Sequence, residues 1–308
     1  MPPIETVVRP AYRPYRVRVA RVERLSPHFV RTVFASDDLA HFGVGGPDQR
    51  IKVVLPHDGD FGDFGQDEGA GDWYERWRAL PDAERNPFRT YTVRSADAGR
   101  RELVVDFVIH HDAGPAGAWA ERAAVGQELI VVGPDTRSRE PLLGFDWHPG
   151  TARRLLLAGD ETAAPAIASI LESLDGSFGV DAFIEVPTAA DVLPIAHRDG
   201  VRVRWLTRDD HPHGARLVEA LTSWTELSSD VLARAAAPRT QELADIDVDR
   251  ELLWDSPEDA DGEFYAWIAG EAATVKTLRR LLVSAHGVDR RRVAFMGYWR
   301  LGQAERTE

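Results

Sequence analysis

The chain is predicted to fold as an antiparallel β-rich domain, residues 1–148, followed by a doubly wound α/β domain, residues 149–308. Three observations lead there. A length of 308 residues is enough for two cores of roughly 150 residues each. Up to about residue 148 the apolar runs are short and alternate with polar residues, the period of half-buried strands. After His148-Pro149-Gly150 apolar strands instead alternate with amphipathic helices, the pattern of a mainly parallel sheet.

In the first half, Tyr15, Val17 and Val19 alternate with Arg16, Arg18 and Ala20; the turn residues Ser26-Pro27 and a second run through Phe34 then predict a hairpin. Arg50–Leu55 is a short apolar run carrying Lys52 and closed by Pro56. Residues 57–71 are Asp- and Gly-rich and read as a loop, after which Trp73, Trp77 and Leu80 recur at helical spacing before Pro81. Thr90–Arg94, Glu102–His110 and Glu128–Val132 are further strands, the first two separated by an Asp97-Ala98-Gly99 turn.

In the second half, Arg154–Gly159 is a buried-type strand running into a helix whose apolar face is Ala166, Ile167, Ile170, Leu171 and Leu174. Val180–Val186, Val201–Leu206 and Phe264–Ala269 are three more strands, alternating with helical segments at Leu217–Leu227 and Ala273–Ser284. Residues 241–263 hold ten acids against the single base Arg250; a solvated loop and an acidic docking surface are the two readings.

Composition narrows the function. The formal charge of −13 repels phosphate backbones and anionic lipids, so neither nucleic acid nor membrane is expected as a partner. The net −9 of residues 241–263 supplies most of that excess and leaves the rest near neutral. With no cysteine, disulfides, zinc–thiolate sites and cysteine-ligated iron–sulfur clusters are excluded, and redox chemistry must rest on an organic cofactor or a cysteine-free metal site. Met1-Pro2-Pro3-Ile4-Glu5 has no basic stretch leading into an apolar run, and no window approaches eighteen apolar residues; a cytoplasmic protein is expected.

Five strings carry chemistry. Arg89-Thr90-Tyr91-Thr92-Val93-Arg94 offers an aromatic face, a short polar group and a cation on one strand, the set a flavin needs for its ring, ring edge and pyrophosphate. Asp106–Ala120 runs from a strand end at His110-His111 through Gly114-Pro115-Ala116-Gly117 into a helix start, where free N–H groups favour a pyrophosphate. Leu157–Ala166 is the strand-to-helix junction where doubly wound sheets bind their ligands. There Thr162 is a helix-cap candidate and Asp160 and Glu161 complement the helix dipole, with a direct ligand role the alternative for all three. Trp267–Ala272 repeats the strand, Gly turn and helix start, and Phe295–Gly302 brings Tyr298, Trp299 and Arg300 onto one segment. His211-Pro212-His213 lacks further ligands at defined spacing, so no metal site is expected.

These strings resemble, in order and over Val17–Gly302, the siderophore-interacting protein family of FAD-containing ferric-siderophore reductases. The resemblance implies a ferredoxin reductase-like fold, with an N-terminal antiparallel six-stranded β-barrel that binds FAD and a C-terminal nicotinamide-binding α/β domain. It implies an FAD site of Arg89, Tyr91, Thr92, Val93, Arg94, Asp106, Val108, His110, Gly114, Pro115, Ala116 and Gly117. Tyr91 would lie against the flavin, Thr92 at its edge and Arg94 on the pyrophosphate. Gly117 stands where the family often has Ser, so a hydroxyl contact to phosphate is lost. Thr162 and Glu271 would lie near the nicotinamide, with Thr162 and Tyr91 as the catalytic pair and Tyr298 and Trp299 near the flavin or the siderophore cleft.

Reduction to Fe(II) loosens iron from hard oxygen donors, and a flavin turns one hydride into two single-electron steps. Many ferric siderophores are anionic, so Lys52, Arg137 and Arg139 are candidates for a local basic pocket, with Trp299 and Arg300 at the cleft. Arg208 and Arg279 or Arg280 are candidates for a 2′-phosphate, which makes NADPH plausible beside NADH as the donor; family members also use ferredoxin. A monomer is expected. Two other readings remain open: a flavin oxidoreductase with a different acceptor, and a siderophore-binding protein without turnover.

Overall fold

The computed structural model describes residues 9–62, 72–110, 114–258 and 260–302. Two compact units divide at Phe145/Asp146, slightly earlier than the Pro149-Gly150 break suggests. Asp146 goes with the second unit because its carbonyl accepts the Tyr265 hydroxyl at 2.8 Å and its carboxylate accepts the Trp254 indole N–H.

The first unit is one antiparallel sheet of seven strands: β1 (Tyr12–Arg24), β2 (Phe29–Ala35), β3 (Arg50–Val54), β4 (Phe88–Thr92), β5 (Ser95–Asp97), β6 (Glu102–Val108) and β7 (Glu128–Pro134). Their order is β4-β3-β7-β1-β2-β6-β5. The expected count was six. The extra strand is β5, which lies between the expected strand Thr90–Arg94 and the expected Asp97-Ala98-Gly99 turn and follows a bend at Val93-Arg94. The Val93 N–H donates to Gln49 beside β3, whereas the next N–H, on Arg94, donates to Val104 of β6. One continuous segment therefore forms both edges of the sheet and makes it curl. Tyr15, Val17, Phe34, Ile51, Val93, Phe107 and Val131 fill the concave side, with Tyr91 and Trp119 packed on them. A smaller cluster on the other side joins Val54, Phe88, Ile130 and Val132 to Trp77 of helix α1 (Trp73–Ala79). Helix α2 (Pro115–Glu121) lays Trp119 over Phe34 and Phe107.

The second unit is a six-stranded sheet built from β8 (Arg154–Gly159), β9 (Gly179–Val186), β10 (Val201–Thr207), β11 (Trp254–Asp255), β12 (Phe264–Glu271) and β13 (Val293–Trp299). The order is β10-β9-β8-β12-β13-β11, all parallel except β11. Helices α3 (Ala164–Ser173), α4 (Ala215–Leu227), α5 (Ser229–Ala235) and α6 (Ala272–Arg279) connect them. Strand order reverses between β8 and β12, which makes the carboxyl ends of those two strands the crevice of a doubly wound sheet. Strand β13 was not foreseen: all seven residues are apolar or glycine, without alternation, because a central parallel strand is covered on both faces.

The acidic stretch is strapped down. Leu243, Ile246 and Val248 pack on the core, Asp245 meets Lys276 and Arg280 of the α6 region at 2.7 Å each, and Asp255 pairs with Arg279. Among the described residues no helix is long and apolar enough to cross a membrane.

Candidate functional site

In the first unit the candidate flavin residues gather where β4 and β6 approach each other. Tyr91 is half-buried, with its ring 4.5 Å from that of Phe107, which in turn contacts Trp119. Thr92, Val93 and Val108 are buried, and Val93 belongs to the core beneath Tyr91. Arg89 and Thr90 flank them; Lys52 of β3 donates to the Thr90 hydroxyl at 2.6 Å and lies over Phe88, on the face away from the core. Arg89 donates to the Phe88 carbonyl.

Asp106 emerges as the anchor of this site. Its carboxylate is 3% exposed, receives both Arg31 Nε and an Arg31 terminal nitrogen at 2.7 Å, and sits 3.7 Å from Arg94 Nε. Two guanidiniums thus share one carboxylate, and the three groups carry a net positive charge. Arg31 was missed by sequence reasoning. It pairs across β2 and β6 with Asp106, so register was the available signal. His110 follows β6 and is half-buried; His111, Asp112 and Ala113 lie outside the described residues. Gly114 precedes α2, Pro115 opens it, and Ala116 and Gly117 are buried, so the first turn of the helix itself carries only short side chains.

These groups fit FAD: an aromatic ring partly open at the sheet surface, a doubly cationic group held in place by a buried carboxylate, and a helix start free of bulk. The basic-pocket candidates fare differently. Arg137 pairs with Asp135 at 2.8 Å, a carboxylate it shares with Arg13, and so braces the fold. Arg139 is exposed, and Lys52 is half-buried.

In the second unit Asp160 stands at the end of β8, in the crevice. Its Oδ2 accepts the Glu271 N–H at 2.7 Å and the Trp299 indole N–H at 2.9 Å; its Oδ1 accepts the Thr162 N–H and hydroxyl. Gly270 permits this, because a Cβ there would meet Asp160 Oδ2 at 2.6 Å, and its φ of +145° suits glycine. Thr162 is therefore not the cap of α3; its hydroxyl is spent on Asp160, and the helix begins at Ala164. Glu271 caps α6, accepting the Thr274 N–H at 2.8 Å. Tyr298 stacks on Trp254 at 5.8 Å.

Arg208 forms a two-point pair with Glu161, at 2.9 and 3.0 Å, and reaches Glu185 at 3.1 Å. Both acids are buried. Burial would raise Glu161, but the nearby His213 and the paired Arg208 hold its pKa down at about 2. Burial, and then the Glu161 charge, push Asp160 above its ordinary value. Burial opposes protonation of His213, yet Glu161 and Asp160 raise its pKa overall. Arg208 and Arg279, the 2′-phosphate candidates, are thus each paired with carboxylates. Arg300 is tied to the carbonyls of Asp249 and Glu251.

Comparison with known proteins agrees with this layout. Residues 18–138 match the model of the siderophore-interacting FAD-binding domain, and residues 152–302 that of the siderophore-interacting protein. The chain is 30% identical to an NADPH-dependent ferric-chelate reductase of Escherichia coli, covering 95% of each. It is 28% identical to the ferric vibriobactin reductase ViuB of Vibrio cholerae, over 92% of this chain and 89% of that one. The solved siderophore utilization protein from T. fusca superposes with a TM-score of 0.68 at 28% identity, covering 97% of each chain. A ferredoxin NADP+ reductase from Neisseria gonorrhoeae shares the fold, with a TM-score of 0.56 at 15% identity over 93% of this chain and 99% of that one. The chain belongs to the siderophore-interacting protein family, and its first unit is that family's FAD-binding domain.

Proposed function

We propose that the protein reduces ferric siderophores, with FAD as its cofactor and NAD(P)H as the electron donor, and that it does so in the cytoplasm, where that donor is supplied. The observation that carries this reading is the Arg31–Asp106–Arg94 group beside the half-buried Tyr91 ring, inside the segment that matches the FAD-binding domain. The relatives named as ferric-chelate and ferric vibriobactin reductases support it. FAD, when bound, accepts a hydride and gives electrons up singly, which two-electron donors cannot do for iron alone.

The chain's own residues do the rest. Tyr91, backed by Phe107, would support the ring system, and the short Thr92 side chain would face its edge. Arg94 and Arg31, oriented by Asp106, would neutralise the pyrophosphate, aided by the backbone N–H groups of Gly114, Ala116 and Gly117. Thr162 presents a hydroxyl whose proton is committed to Asp160, so its oxygen is the acceptor it would offer a ligand in the crevice. With Arg208 and Arg279 neutralised, neither selects NADPH over NADH.

The purified protein should be yellow, absorbing near roughly 450 nm. Anaerobic addition of NADH, NADPH or reduced ferredoxin in separate cuvettes should bleach it with at least one nicotinamide donor. Adding a ferric siderophore should then restore the colour and release Fe(II) to a ferrous chelator. A colourless protein that takes up no added FAD would overturn the reading, and so would a bleached one that no ferric siderophore reoxidises.

A further inference from the structure

The proposal concerns His213, a histidine that the flavin reading leaves without a task. Its side chain is 9% exposed, and neither ring nitrogen has a hydrogen-bond partner. Its Nε2 lies 3.5 Å from Glu161 Oε1 and 4.0 Å from Asp160 Oδ2. Those separations are long for hydrogen bonds. They are the separations found between two ligands of one ion with bonds of about 2.0–2.2 Å. One atom from each of the three side chains lies within 4.8 Å of the others, so the three converge on one point.

The surroundings are those of a supported ligand set. Arg208 grips Glu161 at two points, and Thr162 and Glu271 hold Asp160. Partners of this kind fix ligand carboxylates in metal sites. The loop carrying His213 is also pinned: the Arg208 N–H donates to the Val186 carbonyl, and the Gly214 N–H donates to Glu185 at 2.8 Å. Gly214 is required there, because a Cβ would meet the Thr274 hydroxyl at 2.1 Å.

Charge points the same way. The buried carboxylates in contact with Arg208 or His213 are Asp160, Glu161 and Glu185, against the single guanidinium. With a neutral imidazole the group carries −2, which one divalent cation balances. Buried charge of that size calls for compensation.

We propose that Asp160, Glu161 and His213 form a binding site for one first-row divalent cation, with one imidazole nitrogen and two carboxylate oxygens as protein ligands. A borderline ion such as Zn²⁺ or Mn²⁺ suits that donor set. Coordination at Asp160 Oδ2 displaces the Trp299 indole N–H, which shares that oxygen and whose ring meets His213 edge-on at 4.8 Å. The binding event therefore reports on itself through Trp299.

The test uses the full-length FAD-loaded protein, dialysed against a chelator and titrated with Zn²⁺ by calorimetry and with Mn²⁺ by electron paramagnetic resonance. One ion per chain is expected, with a change in tryptophan emission that is absent in Trp299→Phe. His213→Gln should weaken binding by at least about tenfold, whereas replacing the exposed neighbour, His211→Gln, should leave it intact. Flavin absorbance and circular dichroism of each variant establish that it is folded. No uptake by the wild type would overturn the proposal, and so would equal uptake by a folded His213→Gln variant, which would place the ion on surface histidines. These outcomes do not depend on whether the protein reduces siderophores.

Discussion

Trp299 donates its indole N–H to the buried carboxylate of Asp160, 139 residues away in sequence and 2.9 Å away in space. The contact ties the end of β13 to the end of β8, so the crevice is closed on one side by an aromatic ring whose position is set by a charge. Asp160 meets four donors in all. Asp160→Asn presents an amide N–H₂ to some of them and should cost about 1–3 kcal/mol. Trp299→Phe removes one donor and leaves the carboxylate with three, so it should cost less, about 1 kcal/mol. Urea unfolding of the full chain gives the order, and a larger loss for Trp299→Phe would show that packing, not the carboxylate, governs this end of the sheet.

Asp106 should matter to flavin affinity without touching flavin. Asp106→Asn removes the charge that orients Arg31 and Arg94, and FAD retention should fall by about tenfold, equivalent to about 1.4 kcal/mol. Arg31→Lys should weaken FAD as well, because an ammonium cannot reproduce the two-point contact. Flavin-to-protein ratios after dialysis, followed by FAD titration of the apoprotein, measure both.

Lys52 and Arg137 should separate cleanly. Lys52→Ala should raise KM for an anionic ferric siderophore several-fold and leave thermal stability nearly unchanged. Arg137→Ala, by breaking the pair with the buried Asp135, should lower stability. A melting curve and a KM for each variant decide the matter; the reverse assignment would restore Arg137 to the substrate pocket.

Acid should act through Asp135. Burial alone would raise its pKa, but hydrogen bonds and charge from Arg137 and Arg13 bring it below the ordinary 3.8. A carboxyl that ionises more readily in the folded state stabilises the fold fully above its unfolded pKa. That contribution is lost as pH falls through the lower folded value. Melting temperature should therefore drop as pH falls below 3.8, and Asp135→Asn, already destabilised by about 3–5 kcal/mol, should lose less over the same range. Parallel wild-type and variant profiles would remove Asp135 from the explanation.

The sequence made most of the strands legible because one-sided burial writes an alternation into them, as in Tyr15, Val17 and Val19. Strand β13 was hidden by two-sided burial, and β11 by having only two residues. The candidate flavin residues from Arg89 to Arg94 stand out in the sequence because one contiguous string carries three kinds of group. Arg31 and His213 were not. Each acquires its role from carboxylates far along the chain, Asp106 for the first and Asp160 with Glu161 for the second. Arg137, Arg208 and Arg279 show the reverse, each paired with an acid the sequence alone does not place beside it. An arginine looks available in a sequence until the fold supplies its acid.

The bend at Val93-Arg94 also bears on how the first unit avoids sticking to copies of itself. A sheet normally ends in two rows of unpaired backbone groups that can recruit a neighbour's strand. Here the two outermost strands are only five and three residues long and are consecutive pieces of one segment, so each row is short and offers a neighbour's strand little to pair with.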